Sequence, residues 1–229
     1  MKKQITHAVC ILALALTCLG TGAYAAGTTN SETIQAVMSY ETQLKYNGAV
    51  QQLKDANGNA VFPILYNGTT YLPVRAVAGL FHTAVDWDAA TGTVLLGAKD
   101  KIAVTGDMVK TMSDCDWTTE KGKLVMDGKA YEAGLYSGEA GFCRTGQAQI
   151  TLNGKYQTLH MRAVHSRNAK LDILDTDGTV LKSVKTNAGQ PQEITVDVGG
   201  VDAVKLMYWI DDDSWSSEGI SLITDLTVE

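Results

Sequence analysis

The chain has 229 residues, of which 45% are hydrophobic and 19% charged, with 22 glycines and three prolines. That balance excludes a disordered chain and suffices for one or two folded domains with cores of their own. The formal net charge of −6 argues against nucleic acid or an anionic membrane as partner, because neither offers the counter-charge that drives such associations.

At the N-terminus Lys2 and Lys3 precede an apolar run from Ala8 to Leu19, and Ala23-Tyr24-Ala25 places small residues where a signal peptidase reads. Residues 1–25 are therefore expected to be a signal peptide, cleaved after Ala25. The apolar run is about 12 residues against the roughly 20 of a bilayer span, so no membrane span is expected in the mature chain. Cys18 follows Thr17, where a lipoprotein signal carries a smaller residue. The expected location is extracellular, either in solution or on the cell wall. Of 19 basic residues, removing Lys2 and Lys3 leaves 17 against 25 acidic ones, a formal charge of −8. Cys10 and Cys18 leave with the signal, so Cys115 and Cys143 either form a single disulfide or stay as two buried thiols.

Residues 26–32 are small and polar and read as a flexible lead-in. Asn-Gly then recurs at 47, 57 and 67, marking successive hairpins. From Tyr66 to Gly97 the order is hairpin, helix, hairpin. Pro73 suits a helix start, and Val74, Val77, Ala78 and Phe81 at i, i+3, i+4 and i+7 make one apolar stripe. Arg75, beside that stripe, is expected to pair with Asp86 or Asp88. Val85 and Trp87 point to one side of the next strand, and Thr93 to Leu96 forms its partner. Residues 99–112 lose this patterning and read as a linker.

Beyond it, period-2 runs dominate. Gln149–Leu152 meets Asn153-Gly154 and continues into Tyr156–Ala163; Leu171–Leu174 meets Thr176-Asp177-Gly178 and continues into Thr179–Val184. These are read as hairpin-linked strands. Ile194, Val196 and Val198 alternate, as do Val204, Leu206 and Tyr208, and a last strand is expected near 220–228. The expected fold is mainly β: a small α+β domain of β-hairpins with one helix, followed by an antiparallel β-sandwich of jelly-roll type.

The run YNGTTYLPVRAVA, then VDWD, then TGTVLLG closely resembles the copper amine oxidase N-terminal-like domain found in secreted proteins of Gram-positive bacteria. With the upstream hairpins the resemblance covers 33–98. It implies a scaffold, because this domain resembles the non-catalytic stalk of those oxidases. A second resemblance covers 113–229: ITLNGKYQTLHM and LDILDTDGTVLKSVKTNAGQPQEITVDVGGVDAVKLMYW look like the carbohydrate-binding module known as NPCBM, which is seen attached to secreted glycosidases and wall proteins. It implies a sugar-binding sandwich, although Ala163-Val164-His165-Ser166 stands where that family has an acidic turn.

The candidate ligand-binding residues are Trp209, Asp211, Asp212, Asp213 and Trp215, read as a loop between two strands. A sugar ring has C–H faces and hydroxyls, so its site needs an aromatic platform beside carboxylates. The same aspartates are hard oxygen donors of the kind calcium takes, without the spacing of an EF-hand. His82, His160 and His165 are scattered, and no transition-metal or cofactor site is expected. There is no GxSxG, HExxH or GxxxxGK[ST], so no enzyme is expected. The sequence points to a secreted, non-catalytic cell-envelope protein whose partner is a carbohydrate or cell-wall glycan. The alternative is a structural module that binds another envelope protein.

Overall fold

Asn-Gly pairs close the first two hairpins. After β1 (Val37–Met38), Asn47 and Gly48 (φ 49° and 82°) join β2 (Leu44–Tyr46) to β3 (Ala49–Gln51). Asn67 and Gly68 (φ 46° and 73°) join β4 (Ile64–Tyr66) to β5 (Thr69–Tyr71). Two successive left-handed residues are what these tight turns demand, and Asn and Gly adopt them at least strain. At the third pair the Asp55 carboxylate accepts the N–H groups of Asn57 and Asn59, at 2.9 and 2.8 Å, and pins a loop closed by the bridge between Lys54 and Ala60. The structure, a computed structural model, describes residues 31–55, 57–126, 128–138, 145–210 and 219–229. The expected signal peptide lies outside the described residues, as does the lead-in up to residue 30. Residues 37–229 form one compact unit; residues 31–36 are exposed and without regular structure.

β1 pairs with β4, giving a three-stranded sheet β1-β4-β5. Helix α1 (Val74–Gly79) follows Pro73 and is stopped by backbone geometry. His82 takes φ 50°, and the N–H of Thr83 turns back to the Ala78 carbonyl at 3.0 Å. The apolar stripe of α1 is not a core stripe: Ala78 is buried, whereas Val74 and Phe81 are exposed. β6 (Val85–Asp88) and β7 (Thr93–Leu96) form a two-stranded ribbon.

This first region is fastened to loops at one end of the sandwich. The Gln157 side chain donates to the His82 carbonyl (3.0 Å) and accepts the Ala84 N–H (3.1 Å), and the Val85 N–H donates to the Gly154 carbonyl (3.0 Å). A Cβ on Gly199 would stand 1.9 Å from the His82 carbonyl oxygen, so only glycine fits this approach. Asp86 pairs with Lys99 at 2.6 Å and Lys155 at 3.3 Å. Arg75, expected to take Asp86 or Asp88, instead donates to the Val85 carbonyl at 2.6 Å.

The stretch 99–112, expected as a linker, is already part of the sandwich. β8 (Ile102–Ala103) pairs with the last strand, and β9 (Val109–Ser113) follows the 3₁₀ turn Gly106–Met108. Then come β10 (Asp116–Thr118), the hairpin β11 (Val125–Met126) and β12 (Lys129–Ala130), and β13 (Gly134–Ser137). The long strands are β14 (Thr145–Thr151), β15 (Thr158–His165), β16 (Ala169–Leu174), β17 (Val180–Thr186), β18 (Gln192–Asp197), β19 (Ala203–Ile210) and β20 (Ser221–Val228).

They build two antiparallel sheets. One has the order β10-β13-β20-β15-β18, with β8 also on β20, and the other β17-β16-β19-β14-β9. From β14 onward the chain crosses from sheet to sheet, except at the β16–β17 hairpin around Gly178 (φ 89°). That crossing gives the jelly-roll character. Asn153-Gly154, read above as a hairpin turn, is one of the crossings, because β14 and β15 lie in different sheets. Ile150, Leu171 and Leu206 from one sheet meet Leu159, Met161 and Ile223 from the other in the core. Each such burial is worth about 1.5–3 kcal/mol.

Candidate functional site

β19 is the central strand of the five-stranded sheet. Its alternation sends Val204, Leu206 and Tyr208 into the core and leaves Lys205, Met207 and Trp209 half-buried on the outer face. Strand register then fixes their neighbours. Trp209 lies between Lys170 and Thr145, Met207 between Asp172 and Gln147, and Lys205 between Leu174 and Gln149.

Charge and aromatic surface meet at the first two rows. The Lys170 ammonium lies 4.5 Å from the centre of the Trp209 indole and donates to Asp172 Oδ2 at 3.1 Å. A cation over an indole in this range is attracted by the ring quadrupole. The other oxygen of Asp172, Oδ1, is buried, with no hydrogen-bond partner among the described residues. The outer face thus offers an apolar plate of Trp209 and Met207, the Lys170 ammonium, and the amides of Gln147 and Gln149.

Of the residues singled out from sequence, Trp209 belongs to this face. It lies on a strand and not in a loop, since β19 runs to Ile210. Asp211, Asp212, Asp213 and Trp215 lie outside the described residues. Lys170, Asp172, Gln147 and Gln149 were missed by reading for a loop. The signal that finds them is strand alternation: Lys170 and Asp172 are two residues apart, hence on one face, in a strand whose Leu171 and Ile173 are core.

A second polar group lies inside the sandwich. His165 Nδ1 and Ser221 Oγ are 2.7 Å apart, the imidazole and Tyr208 ring centres are 5.5 Å apart, and His165 Nε2 has no hydrogen-bond partner among the described residues. Burial pushes the His165 pKa down to about 4 and that of the Tyr208 hydroxyl upward. Histidine and serine here are fully or almost fully buried, so no substrate reaches the pair. Cys115 is a buried free thiol, its pKa pushed up to about 12 by burial and then by Asp116; Cys143, its candidate disulfide partner, lies outside the described residues. His160 bonds Thr195 and Glu229, both at 3.1 Å, on the opposite side of β15 from His165. Among the described residues no three of His, Cys, Asp and Glu converge into a metal-holding group, and no helix is long and apolar enough to cross a membrane.

Residues 54–131 match the family described as copper amine oxidase N-terminal domain. The match begins and ends later than the expected span 33–98 and runs on through β8–β12. No curated protein sequence matches the chain. Among solved structures the chain is similar to the catalytic domain with the CBM51-1 and CBM51-2 domains of Clostridium perfringens ZmpB, at 17% identity and a TM-score of 0.40. That likeness covers 63% of this chain and only 17% of the other. It is similar to CBM51 from Clostridium perfringens GH95, solved in complex with methyl-galactose, at 11% identity and a TM-score of 0.41, covering 57% of this chain and 100% of that one. It is also similar to CBM29-2, a family 29 carbohydrate-binding module, at 8% identity and a TM-score of 0.36, covering 57% and 92%.

Proposed function

We propose that this is a secreted, non-catalytic protein of the cell envelope whose sandwich binds carbohydrate on the outer face of its five-stranded sheet. One observation carries the reading: the half-buried indole of Trp209 on the outer face, with the Lys170 ammonium 4.5 Å from its ring centre. The ring C–H face of a sugar can rest on the indole while the Lys170 ammonium and the glutamine amides serve its hydroxyls. Asp211, Asp212, Asp213 and Trp215 follow Trp209 in the chain and are proposed to extend this site. The sequence resemblance of 113–229 to a carbohydrate-binding module supports the same reading.

A glycan array and titration calorimetry with soluble cell-wall fragments test it. Trp209→Ala and Lys170→Ala are each expected to weaken binding by about tenfold or more, the 1–3 kcal/mol of a lost stacking or charge-assisted contact. Folded protein that retains no glycan, or variants that bind as tightly as the parent, would sink the claim. A protein-interaction role is favoured by a different observation, the apolar surface of the first region, and concerns a separate face.

A further inference from the structure

Leu72, Val74, Val77, Phe81 and Leu96 line an open apolar groove of about 440 Å³ beside α1. The ribbon extends it. Val85 stands opposite Leu96 and Trp87 opposite Val94, so Trp87, Val94 and Leu96 share one face, and Leu96 joins that face to the groove. Trp87 is 57% exposed, Phe81 54% and Leu96 57%. None of these residues is charged. Asp86 and Asp88 alternate to the other side of the ribbon, where Lys99 and Lys155 hold Asp86.

The size of this face says what covers it. Leu72, Val74, Phe81, Trp87, Val94 and Leu96, the six exposed members of this face, leave roughly 500 Å² of apolar surface, taking 150–250 Å² for a whole aromatic and somewhat less for an aliphatic residue. A standard interface takes about 800 Å² from each partner, a little over half of it apolar. The patch therefore matches the apolar share of one full side of such an interface and is at the upper end of what monomers expose.

We propose that this face is the interface of a homodimer, with a second copy of the chain as its occupant. A projecting indole and a groove lie on one face, with Trp87 about 7 Å along the ribbon from the Val85–Leu96 pair. A two-fold axis near Leu96 then sets Trp87 and Val94 of each copy against the groove of the other, the reciprocal contact that a two-fold interface requires. A charge-free face also lets two acidic chains meet without facing like charges. The proposal is independent of the glycan reading.

Sedimentation velocity of the purified protein from low to high micromolar concentration tests it. The expected result is a reversible dimer that Leu96→Glu weakens at least tenfold with an unchanged circular dichroism spectrum, whereas Val180→Glu, at an exposed valine of the sandwich, leaves it intact. Amide hydrogen exchange of the parent protein, dilute against concentrated, needs no variant: exchange should slow in residues 72–96 as concentration rises. A monomer throughout, a dimer indifferent to Leu96→Glu, concentration-dependent protection elsewhere, or association only with a different protein overturns the proposal.

Discussion

From β14 to β20 the strands run six to eight residues and bury a side chain at nearly every second position, whereas from β1 to β7 they run two to four residues and leave most of their apolar side chains half exposed. Apolar content does not separate the two regions; strand length does. A strand of three residues offers one or two side chains to a face, too few to cover a neighbouring layer. The first region buries Leu53, Ala78, Ala84 and Val85 among its apolar residues. It is held by turn chemistry and by its seam with the sandwich, while the sandwich is held by its core.

Core truncation breaks or sustains this contrast most directly. Leu206→Ala, at a position 1% exposed between the two sheets, is expected to cost about 2–5 kcal/mol from lost transfer energy and an unfilled cavity. Leu65→Ala, on exposed β4, should cost under about 1 kcal/mol. Urea midpoints of the two variants measure both, and equal losses would mean that the first region has a core that its exposure conceals.

The next effect separates the regions by pH. His165 is buried and its pKa lowered to about 4, so it stays neutral in the fold while the unfolded chain takes up a proton near 6.5. Between those values the unfolded state binds more protons, and stability falls as pH falls. The loss amounts to at most about 3 kcal/mol, begins below about pH 6.5 and is complete near pH 4. Melting temperatures across that window should drop in the parent and stay nearly flat in His165→Gln. A flat parent curve would place a partner on His165 Nε2.

Much of the contrast could be read before any coordinates, because it rests on local chemistry. Asn47-Gly48 and Asn67-Gly68 name their turns by the conformations they tolerate, and Asp177-Gly178 does the same for β16–β17. Alternation through Val204, Leu206 and Tyr208 announces a one-sided strand. What stays illegible is partnership. Asn153-Gly154 turns the chain equally well within a sheet or between sheets, and only packing chooses. The α1 stripe has the period of a core helix, yet Phe81 meets only the edge-on ring of Tyr46 among the aromatic contacts of the described residues, at 5.1 Å between centres, and stays 54% exposed. Ile102–Ala103 is too short to show a period and is a strand because β20 has a free stretch of edge at Thr227–Val228. At the candidate site Trp209 stood out by type, while Asp172 carried no signal of its own in its strand. Its burial comes from the two strands that flank β16, which set Ser183 and Met207 beside it.

The smallest predicted effect sharpens the seam. Asp86 is mostly covered, which raises its pKa, but hydrogen bonds from Lys99, the Trp87 N–H and Lys155 outweigh that and pull the carboxyl down to about 2. A folded-state value below the unfolded one contributes stability that is present above about pH 4 and is lost as pH falls toward 2. The window lies below that of His165, so the two titrations can be separated in one acid series. Because the carboxylate joins two lysines near the surface, its worth is about 1–2 kcal/mol and not the larger figure of a deeply buried pair. Asp86→Asn should reproduce at neutral pH what acid does to the parent. Hydrogen exchange should quicken in residues 82–99 while the long strands β15, β16 and β19 keep their protection. Equal quickening in those strands would show the two regions to be one cooperative unit, and no quickening in either would mean that Gln157 and the Val85–Gly154 hydrogen bond hold the seam without Asp86.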